Sequence, residues 1–209
     1  MFEESNDTAT FVICISGFTQ HRGYAHGILK LREKLISAGH SEGLNHRVWY
    51  MPWYTDFEHV VDDILFSTTN IGKIPKVLIA GYSYGGWGSL QLARILERHG
   101  IDVDTMILSD PVGRPLSFLR SVPILNRLPA PLSLLGRDWA PSLKVPASVK
   151  EVYEFHQQEK WHRPQGHRLI PTNGTLMHPP VTVSKRHQQM DDLPGFHQQV
   201  LMSARKLNS

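Results

Sequence analysis

The stretch Gly81-Tyr82-Ser83-Tyr84-Gly85 constrains this chain more than any other. It joins an apolar run, Val77-Leu78-Ile79-Ala80, to a stretch of helical spacing from Trp87 to Arg98. Glycines two before and two after the serine let a strand turn directly into a helix, because no β-carbon obstructs the reversal. The serine then sits at the tip of the turn, above the edge of a sheet, and the helix aims its N-terminus at the same point. That is where negative charge develops during acyl transfer. Ser83 is therefore the candidate nucleophile. The competing reading is a glycine-rich strand–helix turn whose serine only caps the helix.

Such a turn needs a parallel sheet around it, and the remaining pattern supplies one. Thr10–Ser16 is a continuous apolar run rich in β-branched residues, as expected of a buried parallel strand. Strands are expected also at Arg47–Trp53, Lys76–Tyr82, Asp104–Ser109, Val149–Phe155 and Pro180–Ser184. Helices fall between them: Tyr24–Ala38, stopped by Gly39; the stretch carrying Phe57, Val60, Val61, Ile64 and Leu65; the helix after Ser83, closed by Gly100; and a final helix over Phe196–Leu207. The alternation predicts an α/β three-layer sandwich, a mostly parallel six-stranded sheet with helices on both faces. At 209 residues the chain suits one domain, 1–209.

The segment 114–146 breaks the rhythm. Its six prolines rule out one long helix, and its eight leucines rule out a disordered linker. It is expected to be a cap of short helical pieces over the strand ends, either shaping an apolar pocket as a lid or simply covering core. Trp161–Pro179, polar with Pro and Gly, is expected to be a surface excursion.

A serine hydroxyl needs an imidazole to take its proton and a carboxylate to orient that imidazole. In this architecture the chain order is Ser, acid, His. Asp110 ends the strand Met106-Ile107-Leu108-Ser109, and Pro111 stops it, so the carboxylate belongs at the carboxyl edge beside Ser83. Glu159, beyond the fifth strand, is the rival acid. His187 follows the last strand and is the candidate base. His178 precedes that strand and so belongs at the opposite end of the sheet. An oxyanion site would use the backbone N–H groups of Tyr84 and of Phe18, in the loop Gly17-Phe18-Thr19-Gln20. Thr19, His21, Trp53 and Tyr82 are the candidate pocket residues, although aromatics on such loops serve packing equally well.

Other chemistries find no support. There is no His-Glu-x-x-His, no paired cysteines, no acidic calcium loop, no Gly-x-Gly-x-x-Gly after the first strand and no phosphate loop. The net charge of +3 is dispersed, which does not read as a nucleic-acid surface. Neither cofactor nor metal is expected. The Arg-dotted apolar cap (Arg114, Arg120, Arg127, Arg137) allows a contact with a membrane surface. The single cysteine, Cys14, lies in an apolar run, and the polar, acidic first ten residues lack the run of a secretory leader. A cytoplasmic setting is the expectation.

Together these residues resemble the α/β-hydrolase superfamily, over Thr10–Leu207 apart from the two insertions. The elbow at Ser83 resembles its nucleophile elbow, and Ser109-Asp110-Pro111 resembles the acid element of the pancreatic-lipase branch. The run from His187 to Asp191 is similar to the His-x-x-(Ile/Met)-Asp pattern before the last helix of many bacterial esterases and thioesterases. The chain lacks the first antiparallel strands of larger members and is similar to cutinases in size, without their disulfides. It also lacks a His-Gly-Gly-Gly oxyanion motif. The resemblance implies serine-dependent cleavage of a small-molecule carboxylic ester with an apolar acyl group, through Ser83, His187 and Asp110. Thioester or amide hydrolysis by the same triad, and a catalytically silent ligand-binding protein, are the alternatives.

Overall fold

In the computed structural model, the first strand, β1 (Thr8–Ser16), is buried on both faces. Phe11, Ile13 and Ile15 point into one hydrophobic cluster, Val12 and Cys14 into another, as the central strand of a parallel sheet requires. Residues 8–18, 20, 23, 25–69, 72–113, 143–158 and 166–209 are described by the structure. The rest of the cap segment (114–142), Thr19, His21 and Glu159 lie outside them.

The elements follow in order: α1 (Gly27–Glu42), β2 (His46–Pro52), α2 (Glu58–Thr69), β3 (Ile74–Tyr82), α3 (Tyr84–Arg98) and β4 (Val103–Ser109). Then come β5 (Leu143–Lys144), β6 (Val149–Gln157), β7 (Leu169–Ile170), β8 (Leu176–Met177), β9 (Val181–Val183), a 3-10 turn at His187–Gln189 and α4 (Pro194–Asn208). The main sheet is ordered β2-β1-β3-β4-β6, with its outer position shared by β8 and β9. These two pair with the beginning and the end of β6, and every pairing is parallel. The last strand expected at Pro180–Ser184 is β9, and β8 is a short additional strand before it.

The strand order reverses between β1 and β3, and ligands of open α/β sheets bind at the strand ends beside such a reversal. Helices α2 and α3 pack on one face of the sheet, α1 and α4 on the other. Leu90, Leu92 and Leu96 of α3 and Ile28, Leu31 and Leu35 of α1 are fully buried. Each such side chain contributes about 1.5–3 kcal/mol.

Two expectations are corrected. Gly39 does not stop α1; the helix runs on to Glu42, and Gly43 closes it at φ +69°. A glycine inside a helix costs only about 1 kcal/mol, and the packing of the apolar face outweighs that. Only part of the segment read as a surface excursion is one: Gly166, His167 and Leu169 are buried and β7 pairs with β5, whereas residues 170–174 are exposed. Among the described residues, no helix is long and apolar enough to cross a membrane.

Candidate active site

Ser83 lies between β3 and α3 at φ +53°, ψ −123°, a conformation strained for a residue with a β-carbon. The turn is held from both sides. The Ser83 N–H donates to the Ser109 carbonyl (3.0 Å), and the Ser83 carbonyl accepts from the N–H groups of Gly86 (2.9 Å) and Val112 (2.8 Å). The flanking glycines are steric necessities. A β-carbon on Gly81 would lie 2.3 Å from Ser89 Oγ, and one on Gly85 would lie 2.2 Å from the Ile15 carbonyl oxygen. Gly85 therefore lets α3 press against the backbone of β1, which fixes where the helix N-terminus points.

His187 opens the 3-10 turn after β9 and is 4% exposed. Ser83 Oγ–H donates to its Nε2 at 2.8 Å, and its Nδ1–H donates to Asp110 Oδ2 at 2.5 Å. An ionised carboxylate only accepts, so the bond to Asp110 fixes the tautomer that leaves Nε2 basic and facing Ser83. Tyr82 O–H donates to the His187 carbonyl at 2.8 Å and locks the base from its backbone.

Asp110 is fully buried and adopts φ +45° at the end of β4. Its Oδ1 accepts from the N–H of Gly166 (3.0 Å) and more weakly from that of Gln157 (3.4 Å). Burial by itself would raise its proton affinity. His156 and His187 outweigh burial and hold the carboxyl down at about 2.

The loop after β1 is tied to the same rim. A β-carbon on Gly17 would lie 3.0 Å from Ser83 Cβ, so this backbone passes directly beside the hydroxyl. Gly17 N–H donates to Gln20 Oε1 (3.0 Å), and Gln20 Nε2–H donates to Asp191 Oδ2 (2.7 Å). The same Asp191 oxygen accepts from Gly27 N–H (2.6 Å) and so neutralises the start of α1. Ser109 Oγ–H reaches the Met190 carbonyl at 2.7 Å. One carboxylate thus joins the loop after β1, the turn after His187 and a helix N-terminus. The sequence carried a trace of this in the position of Asp191 four residues after His187. Gln20 gave no comparable sign.

The structure brings Ser83, Asp110 and His187 together and places Phe18 and Tyr84 beside them, their rings 6.0 Å apart. Trp53, 7% exposed, packs against both rings, and Tyr82 is buried against His187. His178 follows β8 and lies beside the middle of β6, stacked on Tyr153 at 3.8 Å. A cavity of about 440 Å³, lined by Gln20, His26, Lys30, Gln188, Asp191 and Leu193 among others, lies to one side and has neither Ser83 nor His187 in its wall. No group of three or more His, Cys, Asp or Glu side chains among the described residues could hold a metal ion.

Ser83 follows β3, Asp110 follows β4 and His187 follows the last strand, all at one end of a parallel sheet. This is an α/β-hydrolase-like fold. No family model matches the chain, and no curated protein matches it in sequence. Among solved structures, this α/β-hydrolase-like chain is similar to the type II thioesterase YbtT of the yersiniabactin pathway (13% identity, 99% of this chain and 96% of that one, TM-score 0.45). It is also similar to the thioesterase RedJ of the prodiginine pathway in Streptomyces coelicolor (13% identity, 94% and 85%, TM-score 0.49). A third similarity is to an alpha/beta hydrolase superfamily protein from Enterococcus faecalis (11% identity, 96% and 90%, TM-score 0.44).

Proposed function

We propose that this protein is a serine hydrolase that cleaves a carboxylic ester or thioester through an acyl-enzyme. The observation that carries the reading is the unbroken relay from Ser83 Oγ through His187 to Asp110, at 2.8 and 2.5 Å, assembled on a strained turn. Strain at a residue with a β-carbon persists only where the surroundings over-determine it. A helix-capping serine gives no reason for it, and Ser83 makes no side-chain cap bond to α3.

In this reading Ser83 Oγ attacks the acyl carbon while its proton passes to His187 Nε2. The backbone N–H groups of Phe18 and Tyr84 receive the oxyanion, aided by the positive end of α3. His187 then gives the proton to the departing alcohol or thiol, leaving the acyl group on Ser83. Water, deprotonated by the same imidazole, releases the carboxylic acid and restores the hydroxyl. Asp110 stays ionised throughout and stabilises the imidazolium. The leucines of 114–146 suggest an apolar acyl group.

The test is turnover of a panel of short p-nitrophenyl esters and acyl thioesters by the purified protein and by Ser83→Ala. The variant should keep its circular dichroism and lose at least about 10³-fold in kcat. Equal turnover by the two proteins would refute the assignment.

A further inference from the structure

Two buried ionisable side chains next to the triad take no part in the chemistry described above. Strand β6 pairs with β4 so that Ser109 lies opposite Phe155, and Asp110 N–H donates to the Phe155 carbonyl at 2.7 Å. The next residue, His156, therefore falls beside Asp110. Glu154, two residues earlier on the same strand, shares its face. His156 is 6% exposed and Glu154 7%. His156 Nε2–H donates to Glu154 Oε2 at 2.8 Å. Its Nδ1 is buried, has no hydrogen-bond partner and lies 3.8 Å from Asp110 Oδ1. That distance is too long for a hydrogen bond and close enough for a strong charge interaction. Burying a charge is costly unless its partners compensate, and apolar side chains of similar volume would fill the space more cheaply.

We propose that Glu154 and His156 are positioning residues that balance the charge behind Asp110 and so set the pH range in which His187 acts as a base. The proposal rests on the function proposed above. With His156 charged, Glu154, His156 and Asp110 together present His187 with one net negative charge, as a lone carboxylate would. Burial opposes a charged His156, but the two carboxylates outweigh it and lift its proton affinity above the ordinary histidine value. Apart from Asp110, the described residues that meet His156 from other elements carry no charge. Across the ladder in β9, Thr182 lies opposite His156; α4 meets the other face of β6, where Phe196 packs on Phe155. His167 presents Nδ1 as an acceptor to Gly113 N–H. Among the described residues, Asp110 and Glu154 are the charged groups acting on His156.

The charge count predicts shifts of opposite sign. His156→Gln leaves two carboxylates behind His187, so the imidazole holds its proton more tightly. With His156 still protonated beside Asp110, Glu154→Gln removes one negative charge and does the reverse. The readout is the pH dependence of the rate at which a fluorophosphonate labels Ser83. In His156→Gln the acid limb should move to higher pH by about half a unit to one unit, and in Glu154→Gln it should move to lower pH. A merely structural role would slow both variants alike. Shifts in the same direction, or no shift in either, would overturn the proposal. Nitrogen-15 NMR of the His156 ring gives a second reading on the folded protein. The ring should carry both protons at pH 7 in the wild type, and it should lose one at lower pH in Glu154→Gln than in the wild type. A neutral His156 at pH 7 in the wild type would likewise overturn the coupling. If the wild type shows no labelling at Ser83, the proposed function fails instead, and the NMR result alone decides whether the charge balance exists.

Discussion

The two ends of the sheet use the same residue types for different ends. Where the strands begin, charges are paired in or near solvent: Lys150 with Asp104 at 2.8 Å, Arg205 with Glu42 at 2.6 Å, and Glu151 with Lys206 and His178, each at 3.2 Å. Gly43 and Gly100 end α1 and α3 there at φ +69°, with open space where a side chain would go. Where the strands end, Asp110, Glu154, His156 and His187 are all buried, and Gly81, Gly85 and Gly166 are pressed against neighbouring atoms. Positive φ at that rim falls on Ser83 and Asp110, which carry side chains. The difference teaches that one rim is built for solubility and chain reversal. The other is a packed polar network in which each group's state depends on its neighbours. Exposed ion pairs of the first kind contribute little, because water and salt screen them. Removing one member of the second kind strands a buried partner.

The contrast breaks most readily at two glycines. Gly85→Ala drives a β-carbon into the Ile15 backbone and should cost about 3 kcal/mol or more, whereas Gly100→Ala meets only the strain of a left-handed residue and should cost about 1 kcal/mol. Urea denaturation of the two variants measures both. Equal losses, or the reverse order, would dissolve the distinction between the rims.

A smaller effect sharpens it from the side of charge. Asp110 is held at about 2 in the folded chain, below the ordinary aspartate value of about 3.9. A carboxyl depressed by folding stabilises the native state above its unfolded value, and that stability drains away as the pH falls through the folded value. The contribution, about 2–3 kcal/mol, should be complete above pH about 5 and be lost as the pH falls through about 2. Urea midpoints of wild type and Asp110→Asn across this window should converge as the pH falls. A gap independent of pH would mean that the carboxylate is not stabilised by its histidines.

Much of this was legible in the sequence because the features are local. The apolar runs of β1 and β3, the glycines around Ser83 and the Asp-Pro step at Asp110 each act within a few residues of chain. The order of Ser83, Asp110 and His187 then follows from strand succession. The chain gave no such sign where the deciding contact was distant. Gly39 reads as the helix stop until the packing of α1 carries the helix on to Gly43. The two-residue strands β5, β7 and β8 are too short to show a period. The inward turn of Gly166 depends on the Asp110 oxygen it serves, 56 residues away in sequence. The meeting of Glu154 and His156 with Asp110 shows only when β6 is laid beside β4. The same holds for Gln20, whose role is its bond to Asp191.

The central claim is that Ser83 is the group that forms the covalent bond. Mass spectrometry of the intact protein and its peptides after reaction with a fluorophosphonate at neutral pH reads this directly. One adduct per chain, mapped to the peptide bearing Ser83 and absent when His187 is replaced by glutamine, is the predicted result. An unmodified Ser83, or labelling that persists at the same rate without His187, would contradict the account.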